Sequence, residues 1–176
     1  IIGRLVGSEM CIRDRAISGV SSDHNTYYVG AASGGLFKTK NKGISWEPIF
    51  DDQDVSSVSA IAVSQKNPNI VWAGTGETFL IRPAHAIGDG IYKSEDGGNT
   101  WKNMGLQKTA RIAKIVIHPK NDKIVYVAAL GHTFGPQEDR GIYKTTNGGK
   151  TWKKILFIDQ NTCLLYTSDA ADEHSW

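Results

Sequence analysis

The sequence predicts an all-β chain, a β-propeller fragment of three four-stranded antiparallel blades in an open arc. Three observations predict it. The segments G-L-F-K-T-K-N-K-G-I-S-W (35–46), G-I-Y-K-S-E-D-G-G-N-T-W (90–101) and G-I-Y-K-T-T-N-G-G-K-T-W (141–152) superimpose. Their closing residues Trp46, Trp101 and Trp152 recur about every 50 residues, the period of a propeller blade. Between them lie short β-branched and aromatic runs with no 3.6-residue apolar period, which excludes a helical solenoid. Closing a ring normally takes about four to eight blades, so three imply an arc.

Each blade spells four strands. Blade one (16–50) reads Ala16–Val20, Tyr27–Ala31, Gly35–Thr39 and Trp46–Phe50. Blade two (58–104) reads Val58–Ser64, Ile70–Thr75, Gly90–Ser94 and Trp101–Met104. Blade three (112–157) reads Ile112–His118, Ile124–Leu130, Gly141–Thr145 and Trp152–Phe157. Ser22-Asp23-His24-Asn25, Lys66-Asn67-Pro68-Asn69 and Pro119-Lys120-Asn121-Asp122 stand between first and second strands, where Asn, Asp and Pro suit tight hairpins. His118, before Pro119, reads as a turn residue, and Lys38, Lys93 and Lys144 recur in register as part of the blade.

The ends read differently. Residues 163–173 (C-L-L-Y-T-S-D-A-A-D-E) and 5–15 (L-V-G-S-E-M-C-I-R-D-R) reverse-translate to sequences resembling the two transposase adapters of a sequencing library, pointing inward. On this reading residues 1–15 and most of 163–176 are adapter-derived, are expected not to pack on the blades through Met10 or Leu165, and leave about Ala16–Thr162 as natural sequence. Both cysteines, Cys11 and Cys163, fall inside those strings, so no disulfide is inferred. A net charge of +2 without a basic cluster argues against a nucleic-acid partner. The apolar runs are far shorter than the roughly 18 residues of a membrane span.

Within each repeat stands [S/T]-x-[D/N]-x-G-x-[S/T]-W: Thr39-Asn41-Gly43-Ser45-Trp46, Ser94-Asp96-Gly98-Thr100-Trp101 and Thr145-Asn147-Gly149-Thr151-Trp152. The pattern resembles the Asp box of the bacterial neuraminidase repeat. Its carboxylate or amide can accept backbone N–H groups of its own turn, glycine takes the left-handed position, and tryptophan is expected to close the hairpin from inside the blade, mostly buried. A residue repeated in every blade serves the blade, so Asn41, Asp96 and Asn147 read as structural.

The stretches Y-Y-V-G-A-A-S-G-G-L-F-K-T (27–39), N-P-N-I-V-W-A-G-T-G-E (67–77), G-D-G-I-Y-K-S-E-D-G-G-N-T-W (88–101) and D-R-G-I-Y-K-T-T-N-G-G-K-T-W (139–152) are similar to bacterial proteins with sortilin-type N-terminal propeller domains. That resemblance implies a long, exported, multi-blade protein that binds a protein, peptide or carbohydrate ligand. It implies the remaining propeller blades as partners, and no cofactor. Fold likeness alone assigns no reaction.

Two enzyme motifs have partial counterparts in the sequence. Xyloglucan-cleaving tandem propellers carry T-D-x-G-G-x-Y, and the corresponding Ala31-Ala32-Ser33-Gly34-Gly35-Leu36-Phe37 has Ala32 at the catalytic Asp position. Sialidases carry F-R-I-P and three arginines that grip a carboxylate, whereas Phe79-Leu80-Ile81-Arg82-Pro83 has another order and Arg82 has few arginine companions, Arg111 and Arg140. No catalytic residue is assigned. Glycoside hydrolysis by carboxylates elsewhere in a longer parent is the alternative, since that chemistry needs two.

The non-repeated residues are the better functional candidates. Blades two and three carry long inserts, Gly76–Gly88 and Gly131–Arg140, where blade one has only Ala32-Ser33-Gly34. Glu77, Phe79, Arg82, His85, Asp89, His132, Phe134, Glu138, Asp139 and Arg140 are the candidate ligand- or partner-binding residues. No metal-ligand spacing of known type links them.

Overall fold

Short runs of β-branched and aromatic residues, each ended by Gly, Asn, Asp or Pro, become hairpins that stack into three separate sheets. The computed structural model describes residues 14–78, 86–132 and 134–160. Blade one comprises β1 (Asp14–Val20), β2 (Asp23–Ala31), β3 (Gly35–Thr39) and β4 (Glu47–Pro48). Blade two comprises β5 (Val58–Val63), β6 (Val71–Thr75), β7 (Ile91–Ser94) and β8 (Lys102–Asn103). Blade three comprises β9 (Ile112–His118), β10 (Asn121–Ala129), β11 (Gly141–Thr145) and β12 (Lys153–Leu156). Each sheet is antiparallel with strands in sequence order, the meander of a propeller blade.

The cores lie between blades rather than within them. One cluster joins Val20, Tyr28, Leu36 and Phe50 of blade one to Val58, Val71 and Tyr92 of blade two. The other joins Ala60, Trp72 and Ile91 of blade two to Ile112, Ile115, Val125 and Val127 of blade three. Close approach of the inner strands needs glycine. A Cβ on Gly30 would lie 2.9 Å from the Val58 carbonyl oxygen, and one on Gly74 would lie 2.5 Å from Ile112 Cγ2. The Ser59 hydroxyl donates to the Ile112 carbonyl across the second junction, at 2.5 Å.

Several boundaries differ from the sequence reading. β1 begins at Asp14, two residues before Ala16. β2 and β10 begin early, because Val20 pairs with Asp23 and His118 with Asn121. That leaves two-residue turns and places Asp23-His24-Asn25 and Asn121-Asp122 inside strands. The fourth strands are short and start after their tryptophans. The connector from blade two to blade three contains one 3-10 turn, Gln107–Thr109.

The tryptophans also face a different way from expectation. Trp101 and Trp152 point out of their own blades onto the preceding one. The Trp101 indole N–H donates to the Ile49 carbonyl at 2.7 Å, and that of Trp152 to the Met104 carbonyl at 2.8 Å. Trp101 packs edge-on against Phe50 at 5.3 Å, and Trp152 against Trp72 at 6.0 Å. All three tryptophans are half-buried rather than mostly buried. A large ring with one N–H gains more by clamping two blades than by filling one.

The apolar edge of the arc is exposed on blade three, where Ile155, Leu156, Phe157 and Ile158 are 41–55% accessible. Residues 1–13 and 161–176, with Met10 and Leu165, lie outside the described residues.

Candidate functional site

Two kinds of turn compete for the role of functional site: the repeated β3–β4, β7–β8 and β11–β12 hairpins, and the unrepeated β6–β7 and β10–β11 loops.

The repeated hairpins are internally satisfied. In the first, the Thr39 hydroxyl donates to Asn41 Oδ1 and accepts the Gly43 N–H, each at 2.9 Å. Asn41 Oδ1 also accepts the Ser45 N–H at 2.9 Å, and its Nδ2 donates to the Ser45 hydroxyl. Thr145, Asn147, Gly149 and Thr151 repeat these bonds in the third hairpin. In the second, Asp96 replaces the amide and the hydroxyl reverses: Thr100 Oγ1 now donates to Asp96 Oδ2 at 2.6 Å. That bond, with the Thr100 N–H and the Ser94 hydroxyl, holds the Asp96 carboxyl down at about 2. Asn41, Asp96 and Asn147 thus spend their polar atoms on their own turns, as a structural residue does.

Each of the later two hairpins also docks on the preceding blade. Tyr28 hydroxyl and Lys38 Nζ both donate to the Gly97 carbonyl, at 2.9 and 2.7 Å. A Cβ on Gly98 would meet Ile49 Cδ1 at 2.6 Å, and one on Gly149 would meet Trp72 Cη2 at 2.6 Å. Burial there holds the Lys38 ammonium below the usual lysine range, with neighbouring Lys40 adding to the effect. Lys38 is therefore an inter-blade contact, not only part of its own sheet.

The unrepeated loops are built around Arg111, a 6% accessible side chain that the sequence reading passed over as a candidate. Its Nε donates to the Gly131 carbonyl at 2.8 Å, at the root of the blade-three loop. On its other side a Cβ at Gly76, the root of the blade-two loop, would lie 2.9 Å from Arg111 Cα. The Gly88 N–H donates to the Ala110 carbonyl at 2.7 Å, and the Leu130 N–H to the Arg111 carbonyl at 2.9 Å. One arginine thus stands where the two loop roots meet. The signal in the sequence is register. Ser57 occupies the same place in blade two, its carbonyl accepting the Gly76 N–H, so Arg111 is a cation where blade two has a small residue.

The candidate residues divide. In blade three, the His132 N–H donates to Gln137 Oε1 at 2.6 Å and Arg140 Nη2 donates to the His132 carbonyl at 3.1 Å. These two bonds brace the loop across its width. Phe134, between them, is 80% exposed. Glu138 is exposed with its carbonyl taken by Lys154 Nζ, and the Asp139 carbonyl accepts the Tyr143 hydroxyl at 3.0 Å. Burial, with Asp139 adding, pushes the Tyr143 phenol up to about 12. In blade two, Asp89 serves the scaffold: its N–H reaches Thr75 Oγ1 and its Oδ1 accepts Asn103 Nδ2 at 2.6 Å. The Glu77 N–H closes the base of its loop on the Ala86 carbonyl at 2.8 Å. Phe79, Arg82 and His85 lie outside the described residues. Among the described residues no three His, Cys, Asp or Glu side chains are grouped to hold a metal ion, and no helix is long and apolar enough to cross a membrane.

Comparison with known proteins matches this architecture. The model of the Sortilin-Vps10 family, described as "Sortilin, neurotensin receptor 3", matches residues 34–175. That match runs past Thr162, where the sequence reading ends the natural segment. A "Probable oligoxyloglucan-reducing end-specific xyloglucanase" of Neosartorya fischeri is 29% identical over 100 residues, 54% of this chain and 10% of that protein. The crystal structure of an ancestral GH74 enzyme superimposes with TM-score 0.62 and 24% identity, over 84% of this chain and 19% of that one. YCF48 bound to D1 peptide gives TM-score 0.59 and 17% identity, over 86% and 43% of the two chains. The chain therefore spans about a tenth of the curated relative, and less than half of either solved structure. The likeness to the solved structures shows the propeller fold.

Proposed function

Since this chain belongs to the Sortilin-Vps10 family, we propose that it is a non-catalytic ligand- or protein-binding segment of a longer, exported propeller. Its binding face is the pair of loops rooted at Arg111. One observation carries this reading: Phe134 is an aromatic side chain 80% exposed on a loop cross-braced by Gln137 and Arg140. An exposed ring on a pre-organised loop suits recognition, because little ordering entropy is lost on contact. The three repeated hairpins, on this proposal, are Asp boxes with no ligand role. Residues 5–15 and 163–173 are translated adapter sequence, and amplification of the gene across both ends would return different codons there.

A second reading is favoured by the match to a xyloglucanase and to GH74 structures. The chain would then be part of a carbohydrate-active propeller whose catalytic carboxylates come from elsewhere in the protein, Ala32 being unable to serve as acid or base. Calorimetry with xyloglucan oligosaccharides and with a panel of unstructured peptides, on the wild type and Phe134→Ala, separates the two. Binding that Phe134→Ala weakens by about tenfold, without release of reducing ends, supports a binding module. Release of reducing ends by the wild-type chain establishes the enzymatic reading instead.

A further inference from the structure

The connector from blade two to blade three ends in a rare turn. The Arg111 N–H donates to the Thr109 carbonyl at 2.5 Å, around Ala110 at φ 55° and ψ −36°. A three-residue turn with positive φ is the strained form of the γ-turn. Ala110 is buried and carries a Cβ, so unlike glycine it does not adopt that backbone freely. Its N-terminal side is fixed, because Thr109 donates to the Leu106 carbonyl through both its N–H and its hydroxyl, at 3.1 and 2.6 Å.

The preceding connector makes the same junction without this strain. Phe50–Val58 and Met104–Ile112 are equal in length, and Ser56 and Ser57 fall where Ala110 and Arg111 stand. The Ser56 carbonyl accepts the Gly35 N–H at 2.6 Å, and the Ser57 carbonyl accepts the Gly76 N–H at 3.0 Å. Likewise the Ala110 carbonyl accepts the Gly88 N–H at 2.7 Å, and the Arg111 carbonyl accepts the Leu130 N–H at 2.9 Å. Yet neither serine has a positive φ. Joining two blades therefore does not require the strained turn.

The loops make the difference. Blade one contributes a short connection to its junction with blade two, whereas both partners of the strained turn are roots of long inserts. The blade-two loop also presses on the turn directly: a Cβ at Gly76 would lie 2.2 Å from the Ala110 carbonyl oxygen. On the other side Arg111 Nε donates to the Gly131 carbonyl at 2.8 Å. Backbone strain persists only where the surroundings over-determine it. Gly76 and Gly88 do so from one loop, Leu130 and Gly131 from the other.

We infer that the Thr109–Ala110–Arg111 turn couples the two long loops. Loosening either root leaves the other to hold the strained backbone alone, so the second root opens more readily once the first has opened. The converse follows by reciprocity: order imposed on one loop favours order in the other. Its consequence for binding rests on the proposal that these loops form the binding face. The coupling itself is tested without a ligand, so either can fail alone.

The test is native-state hydrogen exchange on the intact, isotope-labelled chain. Gln137→Ala removes the acceptor of the His132 N–H and so loosens the blade-three loop. It is expected to speed exchange at Gly88, in the other loop, about tenfold, while Gly98 in the blade-two hairpin is unchanged. In an Ala110→Gly background, where φ 55° carries no strain, Gln137→Ala should still speed His132 but move Gly88 by less than about twofold. Thr75→Val loosens the blade-two loop by removing the acceptor of the Asp89 N–H, and should speed Leu130 about tenfold in return. This reciprocal effect decides the matter even if Ala110→Gly does not fold. Gly88 unmoved by Gln137→Ala, Leu130 unmoved by Thr75→Val, or an equal effect on Gly88 with glycine at position 110, would each overturn the inference.

Discussion

The first and second repeated hairpins have nearly the same internal bonds and different surroundings. In both, a Ser or Thr hydroxyl accepts a glycine N–H four residues on, at 2.9 Å for Thr39–Gly43 and 2.7 Å for Ser94–Gly98. Yet Gly98 is buried against Ile49, while Gly43 is half-exposed and its nearest neighbour is its own Trp46. The difference teaches that the motif has two separable jobs. The polar residues shape the turn, and the glycines and tryptophan clamp it to the preceding blade.

Substitutions at matched positions can break that comparison. Trp101→Ala removes a ring wedged against Phe50 together with its hydrogen bond to Ile49, and should cost about 3 kcal/mol in urea unfolding. Trp46→Ala should cost less than about 2 kcal/mol. Equal losses would mean that the ring acts within its own hairpin. Gly98→Ala must strain a φ of 97° and push Ile49, for about 2–4 kcal/mol. Gly43→Ala, with φ 86° and 3.5 Å to the nearest atom, should lose only about 1 kcal/mol, the strain alone.

The smallest effect concerns charge. The Asp96 carboxyl is held at about 2 in the folded chain against 3.8 for the free group. Its contribution to stability is therefore present above about pH 4 and lost as pH falls toward 2. The group is solvent-facing, so the acid limb should be shallow. Asp96→Asn copies the first and third hairpins and should unfold like wild type at pH 7 while losing that limb. A limb that survives the substitution must come from other carboxylates.

The blades were legible because one twelve-residue pattern, with Gly, Lys, Gly and Trp at fixed places, occurs three times, and a repeated pattern dictates a repeated local structure. The direction of the tryptophans was not legible. Whether Trp101 faces its own sheet or Ile49 depends on a residue 52 positions away. The loops were harder for a related reason. Asp89 looks like any loop carboxylate in sequence, and only the fold shows it bonded to Asn103 and Thr75. Arg111 is absent from the loop candidates because it precedes a strand rather than sitting in an insert. Aligning the blades would have exposed it, since Ser57 takes its place one blade earlier.

Native-state hydrogen exchange of three glycine amides tests the central claim without changing a residue. Gly43, Gly98 and Gly149 each donate to the same kind of hydroxyl, at 2.9, 2.7 and 3.0 Å, so local bonding predicts similar protection. Docking predicts instead that Gly98 and Gly149 open only when blades separate, and exchange at least about a hundredfold more slowly than Gly43. Equal rates at the three amides would contradict the account, and would return the hairpins to being self-contained turns that happen to lie beside a neighbouring blade.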